Sequence, residues 1–403
     1  MTKKSDAPAI RFKGFSDAWE QRKLGECFSE RVESMPDGEL ISVTINDGIK
    51  KFSELGRHDN SNDNKSKYKK VCVGDIAYNS MRMWQGASGY SPYEGIVSPA
   101  YTVLSPNAGV FSRCIAYQFK LPQMIHTFQI NSQGITSDNW NLKYPTLSEI
   151  EIYISKNVAE QKQIAEFFTS LDNLITLHQR KFEKLTNVKK SMLEKMFPQN
   201  GSSYPEIRFK GFTDPWEQRK AIDIADYSKG NGYSKGDLTD AGTPIILYGR
   251  LYTKYQFAIS EVDTFAFPRN GAVYSQGNEV IVPASGETAE DIARASAVEK
   301  SGVLLGGDLN ILRPFDFINP LFLALAISNG EPQKELAKKA QGKSVVHIHN
   351  TDIQEVTIAY PSRTEQDRIV SVFRQLDNLI TLHQRELEKL QNIKKSMLEK
   401  MFV

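Results

Sequence analysis

Basic and aromatic side chains cluster in residues 57–70, RHDNSNDNKSKYKK, a polar stretch with too few apolar residues for a core strand. Lysine ammonium groups neutralise phosphates, and tyrosine hydroxyls form hydrogen bonds with them. A solvated loop would have the same composition, so both interpretations stay open. The candidate phosphate contacts of this stretch are Lys65, Lys67, Tyr68, Lys69 and Lys70.

A second group of candidates follows a predicted strand end in residues 80–86, SMRMWQG. Arg82 and Gln85 carry the hydrogen-bonding groups that read guanine and adenine edges in a DNA groove. Trp84 lies between them and is predicted to pack rather than to contact a base. The amide-rich run 132–141, SQGITSDNWN, is either a base-reading loop or a simple turn.

The second half of the chain has its own candidates, in residues 227–237 (YSKGNGYSKGD) and 247–255 (LYGRLYTKY). Basic residues interleaved with aromatic ones indicate nucleic-acid binding, although an exposed strand face would look the same. Lys338 and Lys339 are further phosphate candidates. The main candidates of this half are Lys229, Asn231, Tyr233, Lys235, Tyr248, Arg250, Tyr252, Lys254, Arg269 and Lys343.

Motifs for catalysis are incomplete. Residues 341–344, QGKS, end like a phosphate loop, but Ala337 stands where that loop needs its first glycine. Residues 319–322, NPLF, depart from the Asn-Pro-Pro-Tyr/Phe motif of adenine methyltransferases, and no glycine-rich cofactor motif precedes them. His347 and His349 alone do not make a metal site. We therefore predict no catalytic residue, no bound cofactor and no metal, and expect a chain that is not an enzyme by itself.

Two internal repeats must position these candidates. Residues 171–197 return as 376–402 with 23 identical positions out of 27, and residues 10–23 return as 207–220 with 12 of 14. The segments between the repeats show little identity. A shared scaffold that carries two unlike segments predicts two reading heads held at a fixed distance.

Each long repeat is predicted to be one amphipathic helix, because its apolar residues recur at spacings of three and four. Asn157 with Glu160, and Ser362 with Glu365, predict matched capping boxes at the two helix starts, and Pro198 ends the first helix. A helix of about 38 residues forms a rod of about 57 Å.

The two helices are predicted to pair as an antiparallel coiled coil about a pseudo-twofold axis. His178 and His383 would meet near the crossing, either as a buried pair that fixes the register or as a pH-responsive or ligand-binding pair. The predicted pairing residues are Ile164, Leu171, His178, Leu185, Ile369, Leu376, His383 and Leu390.

The segments between the repeats are predicted to be mixed, mostly β domains, because they contain alternating β-branched and aromatic runs bounded by turn residues. Three runs echo each other weakly: 73–80 with 278–285, 98–106 with 306–314, and 150–155 with 354–360. The fold class is α+β, with two such domains separated by the two long helices. The predicted divisions are 1–159, first head; 160–197, first helix; 198–206, linker; 207–364, second head; and 365–403, second helix.

The composition is that of an ordinary soluble protein. Fifty Lys and Arg against 48 Asp and Glu give a net charge of +2, so any DNA-binding surface must be local. No apolar segment of 18 residues occurs, and we expect no membrane contact and a cytoplasmic location. Cys27, Cys72 and Cys114 are expected to be free thiols without a chemical role.

The pattern resembles the specificity subunit of type I restriction-modification systems over essentially the whole chain. The resemblance rests on WEQRK (19–23 and 216–220), GDIAYN (74–79), SPAY (98–101), VPASGE (282–287) and the helices that begin EQ-x-x-I and end KKSMLEKMF. It implies two target-recognition domains, each reading one half of an asymmetric split DNA site. It also implies antiparallel helices that fix the spacer between the half-sites.

The same resemblance implies the partners. These are double-stranded DNA, two methyltransferase subunits docked on the helices, and two restriction motor-nuclease subunits. S-adenosylmethionine, ATP and magnesium are then expected on the partners and not on this chain. Two alternatives stay open: a self-sufficient methyltransferase or nuclease, and a stand-alone DNA-bridging protein that assembles without any methyltransferase.

Overall fold

The computed structural model describes residues 6–45, 48–59, 61–135, 139–342 and 345–403. It contains two compact units. Unit 1 is Met1–Gln179 with Gln384–Val403, and unit 2 is Arg180–His383. Each unit therefore combines one head, the first part of the helix that follows it, and the last part of the other long helix.

Unit 1 carries the elements of the first head, with short 3-10 turns at Phe52–Glu54 and Met83–Gln85. Its elements are β1 (Glu20–Lys23), α1 (Leu24–Cys27), β2 (Phe28–Glu30), β3 (Ile41–Thr44), β4 (Gly48–Lys51), β5 (Lys69–Val71), β6 (Ile76–Asn79), β7 (Ser88–Tyr90), β8 (Gly95–Val97), β9 (Tyr101–Pro106), α2 (Ser112–Gln118), α3 (Pro122–Ile130), α4 (Tyr144–Ser148), β10 (Glu151–Ile154) and the start of α5 (Val158–Lys195).

Unit 2 carries the elements of the second head, with 3-10 turns at Ala221–Asp223 and Lys235–Asp237. Its elements are β11 (Glu217–Lys220), β12 (Ala225–Lys229), β13 (Thr243–Ile246), α6 (Arg250–Thr253), β14 (Ala258–Ile259), β15 (Phe265–Ala266), β16 (Tyr274–Gln276), β17 (Glu279–Pro283), β18 (Ser285–Gly286), α7 (Ala289–Ile292), β19 (Ser296–Val298), β20 (Ser301–Leu305), β21 (Leu309–Pro314), α8 (Pro320–Ile327), α9 (Gly330–Lys339), β22 (Val346–His347), α10 (Asn350–Gln354), β23 (Thr357–Tyr360) and the start of α11 (Arg363–Met401).

Each head has its own central sheet, and the two sheets have similar strand orders. Unit 1 has the four-stranded order β2-β9-β6-β7, and unit 2 has β12-β21-β17-β19 with β14 added at one edge. Unit 2 also has a second sheet, β15-β13-β20-β16, in which β13 and β20 run parallel. The three weak sequence echoes fall on β6 and β17, β9 and β21, and β10 and β23, so the strand predictions for these runs are confirmed.

The short repeat forms the same frame in both units. β1 pairs antiparallel with β10, and β11 pairs in the same way with β23. The Trp19 N–H donates to Asp6 O at 2.8 Å, and the Trp216 N–H donates to Ser203 O at 2.9 Å. Matched sequence therefore gives matched backbone pairing around each helix start.

The start of α5 confirms one part of the predicted capping box. The Asn157 side chain accepts a hydrogen bond from the Ala159 N–H at 2.9 Å. The Glu160 carboxylate does not take the predicted capping role, because it is buried and accepts instead from Arg11 at 2.7 and 2.8 Å. A buried carboxylate is stabilised more by a guanidinium than by one amide.

Within each unit the two helix parts run antiparallel, as predicted. In unit 1, Phe168 stacks on Phe402 at 6.1 Å and Asp172 pairs with Lys394 at 2.5 Å. Residue numbers therefore rise along one helix as they fall along the other.

Unit 2 repeats these contacts with the helices exchanged. Phe373 lies 6.4 Å from Phe197, and Asp377 pairs with Lys189 at 2.5 Å. Met401 and Phe402 are buried in the core of unit 1, while Met196 and Phe197 are buried in that of unit 2. The core of each head is thus completed by the end of the long helix that follows the other head.

The predicted pairing residues take several positions. Ile164 and Ile369 are buried in the cores of their own units, Leu171 and Leu390 share the core of unit 1, and Leu376 packs against the core of unit 2. Leu185 is half-buried, as are His178 and His383. The two histidines belong to different units, so their meeting stays a prediction. Of the helices in the described part of the chain, none is long and apolar enough to cross a membrane.

Candidate nucleic-acid interface

The lysine cluster of the first head is mostly engaged by its own head. Lys69 and Lys70 lie on β5 and pair with Glu30 at 3.2 Å and Glu33 at 3.1 Å. The Glu33 hydrogen bond raises the pKa of Lys70. Tyr68 is a core residue, and its hydroxyl accepts from the Asn62 N–H. These contacts favour a supporting role for all three residues.

Lys65 and Lys67 precede this supported strand. Lys65 is half-buried and Lys67 is exposed, on the loop that leads into β5. Their ammonium groups remain candidates for phosphate contact, and this contact stays a prediction.

The turn after β6 brings Arg82 and Gln85 to the surface. Both are exposed: Arg82 directly precedes the short 3-10 turn Met83–Gln85, and Gln85 is its last residue. The turn closes at Gly86, whose φ of +82° lies in the left-handed region that glycine adopts without strain. A rigid turn that projects an arginine and a glutamine can present both to a groove.

An aromatic pair joins this turn to the amide-rich loop. Trp84 and Trp140 meet edge to face with ring centroids 5.3 Å apart. The Trp84 indole N–H donates to Met81 O at 3.1 Å, and the Leu142 N–H donates to Ser80 O at 2.9 Å. These contacts favour packing as the role of Trp84, as predicted, and they place two candidate loops side by side.

Two features of this surface were missed by the sequence analysis. Ile135, on the amide-rich loop, is 99% exposed, which is unusual for an isoleucine. Lys120 donates to Gly86 O at 2.6 Å and to Ile45 O at 3.1 Å, and so holds the turn from below. Burial, together with the charge of Lys394, lowers the pKa of Lys120 to about 8.

In the second head, three predicted residues form one cluster. The Asn231 side chain donates to Gly271 O at 2.7 Å, and the Tyr233 hydroxyl accepts from the Arg269 N–H at 2.9 Å. The Arg269 guanidinium lies over the Tyr233 ring at 5.2 Å and pairs with Asp237. The cluster holds the loop before β13 against the loop before β16, with basic and aromatic groups at one surface.

Lys229 ends β12 and Lys235 begins the 3-10 turn that follows it, and both are exposed. Phe267, next to this cluster in the chain, is 67% exposed. Such an aromatic face can stack on a base. Lys343 lies outside the described residues.

The run 247–255 is not an exposed strand face. Arg250 begins the short helix α6, its side chain is only 8% exposed, and it pairs with Asp263 at 2.5 Å. Lys254 pairs with the same carboxylate at 2.6 Å, and the hydrogen bonds from these two cations lower the pKa of Asp263. Arg250 and Lys254 are thus held by one acid, which favours support of the head over direct contact.

The two tyrosines of this run differ in exposure. The Tyr252 hydroxyl donates to Ser285 O at 2.6 Å, while Tyr248 is exposed and meets the Tyr252 ring edge to face. Tyr248 is therefore the member of the run best placed for a ligand.

The described residues also include metal-ligating and thiol side chains. In the described part of the chain, no group of three or more His, Cys, Asp or Glu side chains is placed to hold a metal ion. Cys27, Cys72 and Cys114 are free thiols, as expected. Burial raises the pKa of the Cys27 thiol to about 11, which disfavours the reactive thiolate.

Comparison with known proteins identifies the family of this chain. The family model for the type I restriction modification DNA specificity domain matches residues 16–187 and 213–392. Each match spans one head and most of the helix that follows it. The chain belongs to this family.

Similar proteins carry the same description. The type I restriction enzyme MjaVIII specificity subunit of Methanocaldococcus jannaschii is 22% identical over 355 residues, covering 83% of this chain and 81% of that protein. The crystal structure of the S subunit of a type I restriction-modification system from M. genitalium superposes with a TM-score of 0.64 at 15% identity. It covers 98% of this chain and 99% of the other. The similarity confirms the α+β fold with two repeated domains.

Proposed function

We propose that this chain is the DNA sequence-recognition subunit of a type I restriction-modification complex in the cytoplasm. Each head reads one half of a bipartite, asymmetric site, and the paired helices set the spacer. The observation that carries this proposal is the contrast between a repeated frame and two unlike heads within one chain. Two different heads read two different half-sites, whereas identical heads would read a palindrome.

The first head is proposed to read its half-site through the turn that carries Arg82 and Gln85. These side chains are exposed on a turn that is fixed by Trp84 and Lys120. Arginine and glutamine recognise guanine and adenine through paired hydrogen bonds, which need a rigid support. The second head is proposed to use the cluster of Asn231, Tyr233 and Arg269, with Lys229 and Lys235 on phosphates.

The helices are proposed to bind two methyltransferase subunits. Leu174 and Leu177 are exposed on α5 at 44% and 46%, and their repeats Leu379 and Leu382 are exposed on α11 at 44% and 51%. Apolar side chains three residues apart lie on one helix face and form an apolar patch. The patch occurs twice at repeated positions, so one kind of partner can bind at both places.

The chemistry is assigned to the partners. We propose that methylation of a flipped adenine and cleavage of DNA occur on methyltransferase and motor-nuclease subunits, which hold S-adenosylmethionine, ATP and magnesium. The incomplete motifs at 319–322 and 341–344 support a non-catalytic role for this chain.

The decisive experiment is methylome sequencing of cells that express this chain with its cognate methyltransferase, against cells that lack the chain. We expect a split, asymmetric, adenine-methylated motif that disappears without the chain. No chain-dependent motif, beside a methyltransferase that is active with another specificity subunit, would contradict the proposal. A purified chain that methylates or cuts DNA alone would establish the enzyme alternative, and stable DNA bridging without partners would establish the structural one.

Two variants test the recognition surface of the first head. Arg82→Ala should relax one position of one half-site, at a cost of about 1 to 3 kcal/mol in binding, and leave the other half-site unchanged. Lys67→Ala should weaken all sequences alike and reduce the salt dependence by about one phosphate. If neither variant changes binding, the recognition surface of the first head lies elsewhere.

The docking patch has its own test. Leu174→Asp combined with Leu379→Asp should prevent binding of the methyltransferase, as measured by native mass spectrometry, because a buried charge without a partner is costly. The control is Thr176→Asp with Thr381→Asp, at exposed repeated positions two residues further along each helix. Full assembly of the leucine variant would exclude this patch.

A further inference from the structure

One buried glutamine at the start of α5 holds the first head to its helix. The Gln161 side-chain oxygen accepts from the Phe111 N–H at 2.7 Å. Its amide group donates to Gly109 O at 3.0 Å and to Ser155 O at 2.8 Å. The residue is 1% exposed, so these three hydrogen bonds stand in for water at both of its N–H donors and at its oxygen.

Gln366 makes corresponding contacts at the start of α11. Its oxygen accepts from the Asn319 N–H at 2.8 Å, and its amide group donates to Phe317 O at 3.1 Å and Pro361 O at 2.9 Å. It is fully buried. In each head the residue that donates its N–H directly precedes a helix, α2 in the first and α8 in the second.

The loops held by these glutamines have the same length and little shared sequence. They run from the last strand of the central sheet to that helix, as residues 106–111 (PNAGVF) and 314–319 (PFDFIN). All six partner atoms are main-chain atoms, which every head presents when its backbone follows the same path. The contact is therefore independent of the side chains of the head.

The residue before each glutamine bonds the frame instead. Glu160 accepts from Arg11, and Glu365 accepts from Arg208, whose Nε and Nη2 both lie at 2.8 Å. Two adjacent residues at each helix start therefore contact different parts of the unit. The glutamate joins the helix to the short repeat, and the glutamine joins it to the head.

We propose that Gln161 and Gln366 are positioning residues that fix the pose of each recognition domain on its helix through main-chain atoms alone. The pose of the heads then determines which spacer between half-sites the chain accepts. This inference rests on the proposed function, because the pose matters for a spacer only if both heads read DNA. It adds to that function a residue pair that accommodates heads of unrelated sequence.

The test uses the full complex with its methyltransferase and the variants Gln161→Met and Gln366→Met. Methionine keeps the length of the side chain and removes all three hydrogen bonds. We expect sites with spacers one base pair longer or shorter to gain methylation by about tenfold relative to wild type, with the bases of both half-sites unchanged. The control is Gln163→Met, at an exposed position on the same helix, which should keep the wild-type spacer.

A second measurement follows the amides directly. Hydrogen exchange of the segment 109–118 should become about tenfold faster in Gln161→Met, and that of 317–327 should change only in Gln366→Met. A second variant, Gln161→Glu, keeps the acceptor for the Phe111 N–H but places a carboxylate oxygen against the Gly109 and Ser155 carbonyls, so its exchange should be at least as fast as that of Gln161→Met. Loss of soluble protein in both Gln161 variants would make the amide a folding residue and overturn the positioning role.

The two proposals fail in different ways. Failure of the recognition function appears as no chain-dependent motif with the wild-type chain. Failure of this inference appears as an unchanged spacer profile in variants of a wild-type chain that does direct methylation, or as altered half-site bases. Unchanged exchange at Phe111 and Asn319 overturns the inference whatever the methylation result.

Discussion

In each unit a buried glutamate at the start of the long helix pairs with an arginine, but the hydrogen bonds around this pair differ between the two units. In unit 1 the Glu160 carboxylate accepts from Arg11 and, at 3.2 Å, from the Trp19 indole, and Arg11 also donates to Asp17 O. In unit 2, Glu365 accepts from Arg208.

Two donors of unit 2, whose counterparts in unit 1 form hydrogen bonds, are buried without a hydrogen-bond partner among the described residues. These donors are Trp216 Nε1 and Arg208 Nη1. One of the two differences in the short repeat, Pro215 in place of Ala18, lies directly before Trp216. A near-identical sequence therefore gives the same main contact and a weaker surrounding network.

The largest expected effect comes from removing the shared contact. Glu160→Ala and Glu365→Ala should each lower the free energy of unfolding of their own unit by about 3 kcal/mol, because each leaves a largely buried arginine without its partner. Native-state hydrogen exchange measures the two units separately. A loss below about 1 kcal/mol in either unit would mean that water reaches the arginine.

A smaller effect belongs to the first head alone and depends on pH. The pKa of Lys120 is lowered from 10.5 to about 8 by burial and by Lys394. Between these values the unfolded chain holds a proton that the folded chain lacks, so the free energy of unfolding of unit 1 rises with pH, by about 3 kcal/mol over the window.

The matched variant for this prediction is Lys120→Met, whose unit 1 should lack this rise. Hydrogen exchange of unit 1 at pH 7, 8, 9 and 10 in both proteins isolates the contribution of Lys120. Parallel pH profiles would show that the folded pKa of Lys120 is ordinary.

The hydrogen bond of the Trp19 indole is a further difference between the two units. Trp19→Phe and Trp216→Phe remove the same volume, but only the first removes a hydrogen bond to a buried carboxylate. Trp19→Phe should therefore cost about 1.5 kcal/mol more than Trp216→Phe, when each is measured in its own unit by hydrogen exchange. Equal losses would show that the 3.2 Å contact contributes no stability.

The smallest effect is expected where the units match at the surface. Asp172–Lys394 and Asp377–Lys189 are partly exposed ion pairs. Double-mutant cycles with alanine should give coupling energies of about 0.2 to 1 kcal/mol for each, and equal values in the two units. A coupling above 2 kcal/mol in one pair would indicate that its surroundings are drier than those of its repeat.

The helices and their antiparallel contacts were predictable because both depend on local periodicity and on the repeat. The 3.6-residue spacing identifies a buried face without knowledge of what covers it. The strands β6, β9, β17 and β21 were predictable because their runs alternate, are rich in β-branched or aromatic residues and are bounded by turn residues. The division into units was not, because the sequence does not show that Phe402 packs on Phe168 rather than on its own head.

The candidate contacts were only partly predictable. Lys69 and Arg250 look like exposed cations in sequence, but their carboxylate partners Glu30 and Asp263 come from other parts of the chain. Tyr68 reads as a polar-loop residue and is a core residue. Gln161 belongs to a visible motif, yet its two partners in the first head, Phe111 N and Gly109 O, are main-chain atoms about 50 residues away, which leave no trace in side-chain chemistry.

Because the core of each head includes the end of the other long helix, the two units are completed in a fixed order during synthesis. Every residue of unit 2 lies between Arg180 and His383, whereas the core of unit 1 includes Met401 and Phe402. During synthesis the second unit therefore has all its residues before the first unit does. Although domains generally fold as they emerge, the first head must wait for residues made after the second to complete its core. A chain that stops before residue 401 would thus leave the core of its first head without Met401 and Phe402.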